Sequence, residues 1–186
     1  MQSKGYVLRL TATLFAITLV VSALLGLVNA VTKEPIAEAN AKKTREAMAA
    51  VLTFDDYSAV DFTDETGLVT DVWQATEAGQ PCGYVMQVKP SGFGGTITLI
   101  VGVDPDGKCT GVSVVSHSET SGLGANAAAK TSVGEAFRGQ FVGASGALAV
   151  TKDGGTIDAL TGATVTSRAV TNGVSAALSC AAALMG

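Results

Sequence analysis

The longest pattern in the chain is a run without charge. Residues 10–32, LTATLFAITLVVSALLGLVNAVT, hold no Asp, Glu, Lys or Arg over 23 positions. At about 1.5 Å of rise per residue, a helix of that length covers the roughly 30 Å hydrocarbon core of a bilayer with some tilt to spare. Backbone groups in lipid must pair internally, so a lone spanning segment is helical. Lys4 and Arg9 precede the run. The preference of basic residues for the cytoplasmic side predicts a cytoplasmic segment at 1–9, an anchor at 10–32 and an extracytoplasmic remainder. Lys33, Lys42, Lys43 and Arg45 come after the run, but Glu34, Glu38 and Glu46 are interspersed, and a long exported domain largely escapes the charge rule. Val28-Asn29-Ala30 also fits a signal-peptide cleavage pattern, although the apolar run exceeds the usual ~7–15 residues of such a segment. A retained anchor in the cell membrane, in contact with lipid, is the expectation, and either reading exports the rest of the chain.

Beyond the anchor the apolar positions first take a helical spacing. Ile36, Ala39, Ala47, Val51 and Leu52 fall loosely on one stripe and Pro35 suits a first turn, which predicts a helix from 34 to about 53 within a stalk at 33–55. The folded domain is then expected at 56–186. Runs at 68–75, 83–88, 96–103 and 110–116 are strand-like, bounded by turn residues. TITLIVGV is followed by Asp104-Pro105-Asp106-Gly107 and then KCTGVSVVS, which predicts a β-hairpin. A short helix at 125–137, short strands at 147–150 and 156–159, and a long Ala-rich helix at 164–184 complete the reading. Strands and helices do not alternate strictly, so the predicted class is α+β, a single membrane helix plus one small mixed domain.

At 186 residues the chain has room for one anchor and one compact domain. A net charge of −4 and a pI near 4.9 argue against nucleic acid, which needs a clustered basic footprint. Cys82, Cys109 and Cys180 are far apart, with no CxxC pair, so no metal site is expected. Free thiols are the expectation, a Cys82–Cys109 bridge requiring adjacent strands. Two motifs are decoys. Gly102 to Cys109 nearly spells a phosphate-binding loop, but cysteine replaces the terminal hydroxyl residue, and Asp104 and Asp106 would face the phosphates. Gly122-Leu-Gly124-Ala-Asn-Ala127 fits a dinucleotide fingerprint, but His117–Ser121 separates it from the preceding strand. The single histidine, His117, has no second metal ligand and no elbow serine, so a structural role is expected.

The chemistry is expected elsewhere, in DALTGATVTS at 158–167. If Thr161 is a helix N-cap, then Gly162, Ala163 and Thr164 form a first turn whose N–H groups lack intrahelical partners. Such a helix start suits a phosphate group.

The stretch GFGGTITLIVGVDPDGKCTGVSVVSHSETSGLG at 92–124, taken with DALTGATVTS, resembles the FMN-binding domains of Rnf/Nqr-type electron-transport complexes, and among them the G subunits of the Rnf type. The likeness extends over nearly the whole chain. In that family a motif Asp-x-x-Ser/Thr-Gly-Ala-Thr is flavinylated on its last threonine. Asp158, Thr161, Gly162, Ala163 and Thr164 match it, so the resemblance implies covalent FMN on Thr164 through a phosphoester. Attachment would need a separate flavin transferase, with Asp158 serving that step. The resemblance also implies a second wall of the FMN site from Glu119, Thr120, Leu123 and Gly124, the GFGG glycines allowing close backbone approach. One departure is Ser121, where the family has proline, which loosens a turn.

The implied protein is an electron-relay subunit of a membrane complex that couples electron transfer from ferredoxin to NAD to ion translocation, with other subunits as partners. No catalytic residue and no complete active site are expected in this chain alone. The alternatives are the C subunit of sodium-translocating quinone reductase, a stand-alone exported FMN-binding reductase domain, or an anchored non-redox binding module.

Overall fold

The computed structural model describes residues 2–186, with side chains from Gly5 onward; Met1 and the Lys4 side chain, both part of the predicted cytoplasmic segment, lie outside the described residues. The fold is α+β, as expected. Helix α1 spans Gln2–Val51, and the chain divides into a unit ending at Lys42 and a second unit, Lys43–Gly186.

In the first unit Leu10, Leu14, Ile17, Val21, Leu24 and Leu25 all expose their side chains. The most apolar 18-residue window of α1 has a mean hydropathy of 2.4 and nothing buried, so the helix is long and apolar enough to cross a membrane. Its threonines are compatible with lipid because their hydroxyls bond back to the helix. Thr11, Thr13, Thr18 and Thr32 each donate to the carbonyl four residues earlier, at 3.0, 2.9, 3.0 and 2.8 Å. Pro35 lies inside α1 instead of opening a separate stalk helix. A proline removes one helical hydrogen bond, but good helix formers on both sides carry the helix past it.

The second unit is built on an antiparallel sheet of five strands in sequence order. These are β1 (Asp56–Ala59), β2 (Val69–Glu77), β3 (Gln80–Val88), β4 (Thr98–Val103) and β5 (Cys109–Ser116). The four expected strands are all present, as is the hairpin of β4 and β5. Asp104 holds its turn, accepting at Oδ1 from the N–H of Asp106 at 3.0 Å and of Lys108 at 2.8 Å. The phosphate-loop likeness is thus a turn. Strand β1 was not expected from the sequence, because its four residues are mostly exposed and carry no apolar run.

Helix α2 (Ser132–Gly139) and helix α3 (Thr164–Met185) complete the domain. One sheet face is covered by α3, where Val170, Val174, Ala177 and Leu178 meet Met86, Val88, Leu99, Val101 and Val112 in the main core. On the other face Ala75, Val85 and Ile100 pack with Ala47, Met48 and Val51 from the end of α1. That two-sided burial explains why β4 reads as a continuous apolar run instead of alternating. The last turns of α1 therefore pack within the second unit.

Two further expectations are corrected. The helix at 125–137 is a 3-10 turn, Gly124–Ala127, followed by α2. Thr131 intervenes, and its side chain caps α2 by accepting from the Gly134 N–H, so an N-cap interrupts what the apolar spacing joined. The same 3-10 turn disposes of the dinucleotide fingerprint, which requires a strand running directly into an α-helix. The strands at 147–150 and 156–159 reduce to one parallel bridge, Val150 to Ile157. Between them the 3-10 turn Thr151–Asp153 ends at Gly154 with φ 85°, leaving too little chain for a ladder.

All three cysteines are free. Cys82 is on β3 and Cys109 on β5, with β4 between them.

Candidate functional site

The terminal motif is laid out by a turn and a helix start. The N–H of Ala163 donates to the Leu160 carbonyl at 3.0 Å, and Gly162 has φ 72°, the left-handed value required at the third position of a type II turn. Ser167 fixes the geometry from within α3. Its Oγ accepts from the Leu160 N–H at 2.9 Å and donates to the Ala163 carbonyl at 3.0 Å. Thr164 is consequently the first residue of α3, and Ala163 occupies the N-cap position with no side-chain cap. The expected cap by Thr161 is not formed, because the turn at Gly162 carries Thr161 to the exposed side. The helix thus starts with its first-turn N–H groups uncapped by any side chain, which leaves them available to an anion.

The other half of the site comes from the segment after β5. The N–H of Glu119 donates to Nδ1 of His117 at 3.2 Å, a structural role for the single histidine. Glu119 is 8% exposed. Its carboxylate accepts from the Gly94 N–H at 2.9 Å and from the Thr166 hydroxyl. Three segments distant in sequence are thereby joined at one carboxylate: GFGG, the HSET turn and the first turn of α3. Two glycines make this approach feasible. A Cβ on Gly124 would lie 2.4 Å from Thr166 Oγ1, and one on Gly94 would lie 2.1 Å from the Ser118 carbonyl oxygen.

Between these walls is a cavity of about 360 Å³ lined by Phe93, Glu119, Thr120, Leu123, Gly124, Lys152, Gly162, Ala163, Thr164, Val165 and Thr166. Its volume lies within the range of about 300–1,000 Å³ found for small-molecule sites. Seven of the nine residues singled out in the sequence converge here: Glu119, Thr120, Leu123, Gly124, Gly162, Ala163 and Thr164. Asp158 and Thr161 do not. They line a different surface depression with Phe137 and Gln140, where Gln140 bridges to the Asp158 backbone at 2.7 and 3.2 Å.

Four lining residues, Phe93, Lys152, Val165 and Thr166, lie outside those seven. Thr166 carries no signal of its own, being one more threonine within the motif, and its role depends on a partner 47 residues away. Val165 forms part of an apolar rim with Phe93 and Leu123, all of them exposed. Lys152 comes from the 3-10 turn Thr151–Asp153, and its Nζ donates to the Thr164 hydroxyl at 3.2 Å. The sequence offers no sign of it beyond a KDGG turn. Together the lining offers a hydroxyl, one cation and helix-start N–H groups at one side, and exposed apolar surface from Phe93, Leu123 and Val165. That donor set fits a phosphate ester attached to a flat, largely apolar body, as FMN is.

Comparison with known proteins agrees in kind. The family described as FMN-binding domain matches residues 92–179. The chain is 33% identical to the G subunit of the Na(+)-translocating ferredoxin:NAD(+) oxidoreductase complex of Acetobacterium woodii, over 90% of this chain and 88% of that one. It is 31% identical to the G subunit of the ion-translocating oxidoreductase complex of Methanosarcina acetivorans, over 96% of both. With the G subunit of the proton-translocating ferredoxin:NAD(+) oxidoreductase complex of Clostridium ljungdahlii the identity is 47%, but the match spans only 57% of each chain.

Proposed function

Since the chain belongs to the family of G subunits of ion-translocating oxidoreductase complexes and carries an FMN-binding domain, we propose that it holds FMN covalently, through a phosphoester on Thr164. The observation that carries this reading is the place of that hydroxyl. It sits at the first position of a helix without a side-chain cap, on the wall of a cavity, beside a lysine ammonium. When bound, FMN would supply reversible electron-carrier chemistry that no protein side chain offers. The chain's own residues do the rest. Thr164 tethers, and the first turn of α3 with Lys152 faces the phosphate. Phe93, Leu123 and Val165 offer apolar contact to the ring system, and Glu119, through Gly94 and Thr166, keeps the two walls in register. Thr120 lines the same cavity with a hydroxyl able to hydrogen-bond a ring or ribityl oxygen.

Tethering requires a flavin transferase, because joining the FMN phosphate to the Thr164 hydroxyl needs an activated flavin donor and its leaving group. The one carboxylate of the lining, Glu119, is engaged by Gly94 and Thr166 instead of Thr164. Asp158 and Thr161 face away from the cavity, on the surface that such an enzyme could grip while Thr164 is modified. In the assembled complex the chain would relay electrons between neighbouring redox subunits on the path from ferredoxin to NAD, without itself touching either, and that flow would be coupled to ion translocation. Arg9 flanks the apolar run of α1, and the folded unit after it would lie outside the cytoplasm.

A denaturing gel tests the tether: flavin fluorescence should migrate with the chain purified from a host that has the transferase, and Thr164→Ala should abolish it. Fluorescence lost from the parent on denaturation would refute covalent attachment. An alkaline phosphatase fusion at the C-terminus should be active, whereas activity only from a cytoplasmic reporter would reverse the topology.

A further inference from the structure

We propose that Lys152 is the phosphate-binding residue of this site, its ammonium neutralising the phosphodiester at Thr164; the assignment rests on the tether proposed above. The first ground is position. Lys152 Nζ donates to Thr164 Oγ1 at 3.2 Å, and that oxygen becomes the ester oxygen once the flavin phosphate is attached. An ammonium that reaches the hydroxyl oxygen is also within reach of the charged phosphate oxygens, which lie two bonds further out, on the phosphorus attached to it.

The second ground is that the backbone carrying Lys152 is fixed. The turn at Thr151–Asp153 is closed by the Asp153 N–H donating to the Val150 carbonyl at 2.8 Å, and by Gly154 and Gly155 donating to Thr151 and Val150, each at 3.1 Å. It is also tied to α3. Arg168, one turn beyond Thr164, donates to both carboxylate oxygens of Asp153, at 2.5 Å from Nε and 2.6 Å from Nη2. This two-pronged pair places the turn that carries the lysine next to the helix start.

Charge is the third ground. The charged residues of the cavity lining are Glu119 and Lys152. The Glu119 carboxylate is engaged by the Gly94 N–H and the Thr166 hydroxyl, and Asp153, adjacent to Lys152, is occupied by Arg168. Asp153 feels the Lys152 charge through space but is hydrogen-bonded to Arg168, so the hydrogen-bond partner of the ammonium is a neutral hydroxyl. A diester carrying one negative charge at that hydroxyl would complete the pairing. Lysine acts here as a compact point charge, and the helix-start N–H groups supply the directional hydrogen bonds.

The test reads the lysine itself. Full-length protein labelled with 13C at lysine Cε is prepared in detergent, once from a host with the transferase and once from a host without it. Intact mass establishes the flavin content of each. The Lys152 resonance is identified by its disappearance in Lys152→Gln, and its titration is followed through alkaline pH. The expected result is a midpoint higher in the flavin-loaded protein by roughly one unit, the size produced by a unit charge at hydrogen-bonding distance from an exposed group. The other lysines should not move. A flavin-loaded protein with an unchanged Lys152 midpoint would overturn the assignment while leaving the tether intact. Absence of covalent flavin from the transferase-host protein would remove the tether, and the assignment with it.

Discussion

Replacing Thr166 with valine removes one hydroxyl and little else. Thr166 is 1% exposed, and valine fills the same space, so packing is preserved. What is lost is a donor to Glu119, whose carboxylate then keeps only the Gly94 N–H at 2.9 Å. A hydrogen bond to a charged group contributes about 1.5–3 kcal/mol. Water from the adjoining cavity can partly replace the lost donor, which places the expected cost at the lower end, about 1.5–2 kcal/mol. For a folded unit of this size, 1 kcal/mol corresponds to about 4 °C, so the melting temperature should fall by about 6–8 °C. Trp73 is the chain's one tryptophan and lies on β2, so its fluorescence reports unfolding of the full chain in detergent. In a Glu119→Gln background the same Thr166→Val change should cost about 1 kcal/mol less, because the charge it serves is gone. If Thr166→Val unfolds within about 0.5 kcal/mol of the parent, which is the range of an ordinary neutral substitution, the carboxylate does not hold the two walls together.

Gly124→Ala should cost about 1–3 kcal/mol and lower flavin loading as the walls are forced apart, since its Cβ would meet Thr166 Oγ1 at 2.4 Å and Glu119 Oε2 at 2.5 Å; chemical denaturation with intact mass of the loaded fraction checks both. Burial pushes the Cys109 thiol up to about 11 from an ordinary 9.0. At pH 8 its thiolate fraction is therefore about 100-fold below that of an ordinary thiol, and alkylation of the native protein followed by mass spectrometry should find it unmodified. Burial raises the Asp64 carboxyl, but the N–H groups of Val69, Thr66 and Leu68 and the Thr66 hydroxyl together outweigh it and lower the pKa. With a depressed folded pKa, Asp64 contributes stability that is present above the unfolded carboxylate value and is lost as pH falls through the folded one. Asp64→Asn should destabilise at neutral pH, and the gap should close on acidification; a gap that stays constant across that window would contradict the reasoning.

The parts of this protein that were legible in its sequence are those that depend on local chemistry. The 23 uncharged residues of α1, the turn at Asp104–Gly107 and the start of α3 at Thr164 each come from a contiguous stretch. Where the sequence reading failed, the deciding partner lay elsewhere. Thr161 has the right chemistry for an N-cap, but Ser167 holds the Leu160–Ala163 turn in a form that moves it away. Strand β1 forms because Asp56–Ala59 finds an edge on β2, not because its own residues demand it. Thr166 and Lys152 enter the cavity only through folding, the one meeting Glu119 and the other Thr164, and no spacing rule connects either pair.

Trypsin offers the most direct test of the tether, because Lys152 and Arg168 bracket the peptide 153–168. That peptide contains Thr156, Thr161, Thr164, Thr166 and Ser167, every hydroxyl residue of the motif together with its neighbour. Digestion of protein purified from a transferase-containing host should yield it with the mass of FMN less one water, and fragmentation should place the whole increment on Thr164. An unmodified peptide, or the increment on Thr161 or Thr166, would contradict the account.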